Sequence, residues 1–586
     1  MLRGIFPSSP TLAAILLLAA ILFGMAAHKP LHLDNMDFPA AAAATSQSWL
    51  PIYYRGEQAP RYQALYHPPL FIYMLAVWMK AFGTTAESAR FFGFTCLLVF
   101  GAVTCVLFRQ LLGRPLRRQT LVWFWLLFLL NPYTLQGASI VDIDTTVYGP
   151  MLAIVTLLAF RIQTDGVRGT SAGVPFWRWG ALSLAICCAF WMKMTTVLLL
   201  LPSLWMIFIP AWGLRTSLWR ALGAFVAGLG LFIGSYHLYG LATGLNIGFS
   251  YSFVWQSAMQ KGGFGTSNLV DWFFQRSAQM LGTFTGLSAW TGLFFWGLLP
   301  VSAIRLVRRL RQELTIPDWN LLTIHLICLA GTAWYCFQTM TFGGAPFKYT
   351  FVFWPAVVMI GAMSAAQVAS ALKGDSVVRP WLTWLVAAGF YLFAAVAVLG
   401  LVKDTLINGD VRSWRGLIVL GIPALLVMAG LWAQRSRLVP AACLVVGVLA
   451  GGGISLGVAI HQARADYATT YDYRQRGFEE TVAFIRLNTR KDEVIASMKD
   501  IGYAAQRRFH ENYAAIYGPD SRASELMDAV MSGKVRYAIF TENHGQDQLS
   551  VKPILRDWVN SRCRLVKSLG DYRIYEYVDG FPESPK

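Results

Sequence analysis

Charge is scarce in this chain. Only 14% of its 586 residues are Asp, Glu, Lys or Arg, while 56% are hydrophobic and the mean hydropathy is +0.48. A soluble domain carries about 25% charged residues, so a soluble enzyme of this length is excluded, as are a disordered protein and a fibrous repeat. Apolar runs of 17 or more residues recur along most of the sequence, the pattern of a polytopic membrane protein.

Acids are scarcer than bases, which gives a net charge of +18. The excess has a telling location. From His461 to the C-terminus the chain has 19 Lys and Arg against 18 Asp and Glu, so nearly all of the surplus lies in the first 460 residues. There it occupies short loops between apolar runs, as the positive-inside rule expects. It reads as topology charge, and no nucleic-acid partner is expected.

Paired cysteines are lacking too. Seven of the eight lie in apolar stretches, only Cys563 lies in the polar tail, and no Cys-x-x-Cys or His/Cys metal spacing occurs. There is no internal repeat, no low-complexity segment beyond Ala40–Ala44, and no Gly-rich loop that would cradle a nucleotide phosphate; Gly262-Gly263 and Gly343-Gly344 are too generic.

The apolar runs cover about 11–28, 88–112, 119–138, 146–162, 179–193, 194–210, 219–240, 281–304, 320–340, 350–371, 381–401, 415–433 and 439–460, thirteen candidate spans. The stretch 179–210 is interrupted by Lys193 and reads as two short helices turning at that lysine. Alternate loops carry the bases, from Arg3 through Arg114, Arg117 and Arg118 to Arg435 and Arg437. These loops are assigned to the cytoplasm. An odd number of spans then puts the N-terminus inside and the tail outside, with the first span a signal anchor.

The other loops, 29–87, 139–145, 241–280, 341–349 and 402–414, face outward. Within the first, residues 69–83 are apolar but too short to span, and read as an interfacial helix. The tail from 461 to 586 alternates helical and strand patterns and is expected to be a small α/β domain, leaving 1–460 as the membrane domain.

Acids at a membrane boundary are costly and need a partner or a task. Asp34 and Asp37 follow the first span, and Asp142 and Asp144 sit at the junction of the third and fourth. A carboxylate there could take a proton from an acceptor hydroxyl or hold a divalent metal. The bland alternative is helix capping, for which Asp34 and Asp144 are both placed. His67, Lys193 and Lys348, the last followed by Tyr349, add outward-facing polar groups. The cations could neutralise a phosphate, or simply snorkel to the headgroups.

Together, in this order, these residues resemble the GT-C superfamily of integral-membrane glycosyltransferases. They are most similar to the bacterial relatives of protein O-mannosyltransferase and lipid A aminoarabinose transferase. Asp34, Asn35 and Phe38 match the family's first acidic motif, with Asn replacing Glu. His67 stands before Pro68-Pro69-Leu70 where the family often has Lys. Val141-Asp142-Ile143-Asp144 matches the second acidic motif and leaves two acids to choose from. Lys193 matches the lysine of the tight fifth-to-sixth turn, and Lys348, Tyr349 and Pro355 match a basic-Tyr element.

The resemblance implies an α-helical polytopic protein of GT-C-like fold, with about thirteen transmembrane helices and an extracytoplasmic α/β tail. It implies transfer of a sugar, with inversion, from a polyprenyl-phosphate-linked donor in the membrane to a hydroxyl of a lipid, glycan or protein acceptor. Asp34 would be the catalytic base, and Asp142 or Asp144 would orient the acceptor, support the base or bind a metal. Asp37, His67, Lys193, Lys348 and Tyr349 would bind substrate. No cofactor is required by this reading, though the acids leave room for a divalent metal. A transporter or lipid-linked glycan flippase is the rival reading; the absence of repeats, the long first outer loop and the appended tail speak against it. A polymerase or ligase of surface glycans would keep the chemistry and change the acceptor.

Overall fold

A computed structural model describes residues 10–27, 34–51, 67–169, 173–194, 199–245, 315–338, 348–372, 476–517, 520–543 and 546–578, with a few isolated positions between 247 and 307. The expected spans at 281–304, 381–401, 415–433 and 439–460 lie outside the described residues, as do the outer loop 402–414 and most of 241–280. The chain divides into two compact units. One comprises Met1–Ala27, Arg90–Leu238 and Tyr251–Arg464. The other comprises His28–Ala89, Tyr239–Ser250 and Ala465–Lys586.

The first unit is helical. Among the described residues three helices of the chain are long and apolar enough to cross a membrane: Ala86–Leu112, Tyr148–Arg168 and Leu200–Thr243. Pro10–Ala27, Phe176–Met192 and Trp354–Leu372 coincide with expected spans, and Ile316–Gln338 overlaps the one expected at 320–340. Leu200–Thr243 is broken at Gly213, whose φ of 71° and ψ of 174° separate the two runs expected at 194–210 and 219–240.

The run expected at 119–138 is also divided. Arg118–Leu129 stops, and Pro132–Ser139 starts afresh. Proline has no N–H to continue the first helix and suits the first position of the second. The Asn131 side chain caps that start by accepting the Tyr133 N–H at 2.9 Å.

In the second unit, Leu70–Phe82 runs from Pro69 to Gly83, which has a φ of 96°. Phe71, Ile72, Leu75, Ala76 and Met79 are buried, while Met74, Val77 and Phe82 are exposed. At 13 residues it spans about 20 Å, short of the roughly 30 Å hydrocarbon layer. The Tyr73 hydroxyl donates to the Trp49 carbonyl at 3.2 Å, and Lys80 Nζ lies 4.4 Å from the Trp49 ring.

The tail forms a six-stranded sheet: β1 (Val494–Ser497), β2 (Arg508–Glu511), β3 (Val535–Asn543), β4 (Gln546–Asp547), β5 (Cys563–Leu569) and β6 (Tyr572–Tyr577). The order is β2-β1-β3-β6-β5, with β4 on β3. β1 pairs in parallel with β2 and β3; the other pairs are antiparallel. The period-two alternation of β3 serves two cores. Tyr537 and Ile539 face a cluster with Phe478, Val482 and Ile485, while Ala538 and Phe540 face Leu526, Val530, Leu555 and Val559.

The tail is fastened at its start. Asp571 N–H donates to the Arg476 carbonyl, and Arg476 N–H donates to the Asp571 carboxylate, each at 2.8 Å. This close approach needs glycine on both strands of chain. Gly477 and Gly570 have φ of 85° and 56°, and a Cβ on Gly570 would strike the Arg476 carbonyl oxygen. Gly570→Ala is therefore expected to cost about 1–3 kcal/mol. Faster proteolytic cleavage of the tail in the full-length protein checks this.

Candidate functional site

Pro132–Ser139 leads into a turn over 140–147, and Tyr148–Arg168 leads out of it. The turn is wound tightly by its own groups. Thr145 Oγ1 donates to the Ile140 carbonyl at 2.7 Å, Thr146 Oγ1 donates to the Asp142 carbonyl at 2.5 Å, and Tyr148 N–H donates to the Ile143 carbonyl at 3.0 Å. Asp142 Oδ1 accepts the Asp144 N–H at 3.2 Å, an Asx turn. Ile140, Val141 and Ile143 are buried around it, and both carboxylates are buried with them, Asp142 at 5% and Asp144 at 2% exposure.

The capping alternative fails for Asp144. Val147 occupies the N-cap position of Tyr148–Arg168 and makes no side-chain cap. Asp144 instead meets Lys193, with Nζ to Oδ2 at 2.5 Å; Asp142 meets Lys348, with Nζ to Oδ2 at 2.6 Å. The two acids of the motif thus have separate partners from distant parts of the chain.

Each lysine is presented at a helix end. Lys193 follows Phe176–Met192 and leaves it in an extended conformation, φ −155° and ψ 116°, after donating its N–H to the Ala189 carbonyl at 2.9 Å. The helix break expected at Lys193 is there. Lys348 opens a short 3-10 helix, Lys348–Phe353, that precedes Trp354–Leu372. The Tyr349 ring adjoins both cations, 4.4 Å from Lys193 Nζ and 5.5 Å from Lys348 Nζ. Contacts of this kind stabilise an ammonium by about 0.5–2 kcal/mol. Behind it, Tyr335 stacks on Tyr349 with centroids 6.0 Å apart. Tyr335 left no signal in the sequence, because its helical spacing is that of any packed aromatic.

The cluster holds two cations and two anions, so it is formally neutral. Burial pushes both carboxyls up. At Asp142 the charges of Lys348 and Lys193, with hydrogen bonds from Lys348 and the Asp144 N–H, outweigh burial and hold the carboxyl below its ordinary range. At Asp144 burial and the Asp142 charge outweigh Lys193, and the carboxyl is raised.

The remaining sequence candidates lie in the other unit. Asp34 is the first residue of the helix Asp34–Ser48, and Asp37 lies in its first turn. His67 is partly buried, its ring 6.4 Å from that of Phe38, which packs edge-on against Phe71. Among the described residues no three His, Cys, Asp or Glu side chains gather as a metal-binding group. In the tail, His510 and Glu511 are taken up in β2.

No family model matches the chain, and no curated protein matches it. Among solved structures it is similar to crystal structures of ArnT from Cupriavidus metallidurans. The one bound to undecaprenyl phosphate is 13% identical with a TM-score of 0.62, and the one in the apo state is 14% identical with a TM-score of 0.61. Each likeness covers 98% of this chain and 99% of that one. The chain thus shares the fold of these proteins, mostly helical with a small C-terminal sheet domain.

Proposed function

We propose that the chain is a glycosyltransferase of the cytoplasmic membrane, taking a sugar from a polyprenyl-phosphate-linked donor. The observation that carries this reading is a turn holding two buried lysine–aspartate pairs, in a fold like that of a protein crystallised with undecaprenyl phosphate. Two ammonium groups beside one aromatic ring suit a phosphate head group, and their carboxylate partners hold them in place beside it.

In this reading about thirteen helices cross the membrane, the N-terminus is cytoplasmic, and the tail lies on the outer side with the reaction. An acceptor hydroxyl oxygen of a lipid, glycan or protein attacks the anomeric carbon. The bond from that carbon to the phosphate oxygen breaks with inversion. The hydroxyl proton goes to Asp34, and the bonding pair leaves with the polyprenyl phosphate, whose added charge Lys193 and Lys348 stabilise. Asp142 and Asp144 orient the lysines. Asp37, His67 and Tyr349 bind substrate.

The donor reading is tested by equilibrium titration of the purified protein in lipid nanodiscs with undecaprenyl phosphate and with undecaprenol. The phosphate is expected to bind and the alcohol not. Lys348→Gln is expected to weaken phosphate binding by roughly 10–100-fold, the worth of one charge-assisted hydrogen bond. Equal binding of phosphate and alcohol would refute the reading.

A further inference from the structure

The 3-10 helix that carries Lys348 is only six residues long, too short to hold a fixed position by its own hydrogen bonds. Its contacts with Pro132–Ser139 supply the position. Tyr133 and Thr350 hydroxyls are hydrogen-bonded at 2.8 Å, and the pair is buried. One turn on, Trp354 Nε1 donates to Thr134 Oγ1 at 2.7 Å, also buried. Between these two bonds the Phe351 ring lies against Gly137, where a Cβ would collide with it. The Tyr133 ring meets Trp354 edge-on at 5.4 Å.

That same eight-residue helix, Pro132–Ser139, runs directly into the turn bearing Asp142 and Asp144. Both carboxylates and one of the two lysines of the charged cluster are therefore placed by one element. Its far end delivers the carboxylates, and its near end grips the segment that delivers a lysine.

The geometry points to Tyr133 and Thr350, backed by Thr134 and Trp354, as positioning residues that set Lys348 against Asp142 and thereby fix where the site holds a phosphate. The phosphate part of this inference rests on the donor reading above; the alignment of Lys348 does not. The clasp's two hydrogen bonds, Tyr133 to Thr350 and Trp354 to Thr134, act on the 3-10 helix that carries Lys348, so their effect is exerted through its placement. A hydroxyl pair suits the task because both groups can donate and accept, and losing either strands the other in a buried place.

The test compares Thr350→Val, Tyr133→Phe and their double variant with wild type, as full-length protein in nanodiscs. Gln163→Leu serves as the packing control. It breaks a buried bond from Gln163 Nε2 to Asn320 Oδ1, 2.7 Å, elsewhere in the same unit. Undecaprenyl phosphate affinity is one readout, and acylation of Lys348 measured by mass spectrometry without lipid is the other.

Each clasp variant is expected to weaken the lipid phosphate about tenfold, the double variant no more than either single one, and to raise Lys348 acylation several-fold. Gln163→Leu should lower thermal stability without moving either readout. In a Lys348→Gln background, Thr350→Val should have no further effect on affinity. Affinity and acylation both unchanged, at a stability loss matching Gln163→Leu, would make the clasp mere packing and overturn the inference. A wild type that binds no lipid phosphate while acylation still rises in the clasp variants would sink the donor reading and leave the clasp standing.

Discussion

Lys193→Gln is expected to cost the folded protein about 3–5 kcal/mol, the usual penalty for removing one partner of a buried ion pair. The Lys193 ammonium lies 2.5 Å from Asp144 Oδ2, with both side chains nearly sealed from solvent. Removing it leaves a carboxylate among Ile140, Val141 and Ile143 with Asp142 as a like-charged neighbour. Asp144→Asn in the same protein should recover most of the loss, because neutral replacements at both positions leave no stranded charge.

The single variant should also respond to pH in a defined direction. The Asp144 carboxyl is already raised by burial, and loss of Lys193 raises it further. A carboxyl whose folded pKa lies above its unfolded value stabilises the fold at low pH, and that contribution fades as pH rises through the folded pKa. The thermal midpoint of Lys193→Gln should therefore approach that of wild type on acidification, and Asp144→Asn/Lys193→Gln should not share this trend. Equal midpoints for single and double variants at neutral pH would show the pair to be energetically idle.

The second large effect is expected at Asp34. If its carboxylate takes the acceptor proton, Asp34→Asn should lower single-turnover transfer by roughly 10²–10⁴-fold, the usual worth of a general base. Asparagine keeps the shape and removes the basicity, so donor affinity should be unchanged. Asp34 opens the helix Asp34–Ser48. A merely structural aspartate would lower the thermal midpoint and leave transfer intact, and attention would then pass to Asp37.

The residues differ in how plainly the sequence announced them. Lys193 was legible because a lone cation interrupts a long apolar run, and such a group needs a reason to be there. Its partner was not. Asp142 and Asp144 are two apart, a spacing whose side-chain directions depend wholly on the local backbone. In this turn they meet lysines 206 and 49 residues away, and no local pattern encodes such a pairing.

The clasp between Tyr133 and Thr350 spans 217 positions and was equally silent. The break at Pro132 does have a signal in the sequence, the turn dipeptide Asn131-Pro132 with the less apolar Tyr133-Thr134-Leu135-Gln136 after it, which the length of the run at 119–138 masks. In the tail, β1, β3 and β6 are legible in the sequence as the short strand-like runs Val494–Ala496, Tyr537–Phe540 and Tyr572–Tyr577. The strand β2 was not: Arg508-Phe509-His510-Glu511 has one apolar residue, and its place is secured by backbone pairing with β1.

The central claim is tested most directly by following sugar transfer itself. Purified protein in lipid would be given radiolabelled undecaprenyl-phosphate sugars and a panel of lipid, glycan and protein acceptors. The expected result is label on an acceptor with free polyprenyl phosphate released in equal amount, lost in Asp34→Asn and strongly reduced in Lys348→Gln. Folded wild-type protein that binds undecaprenyl phosphate yet moves no label from any donor to any acceptor, and instead carries the intact lipid-linked sugar across the bilayer, would contradict it.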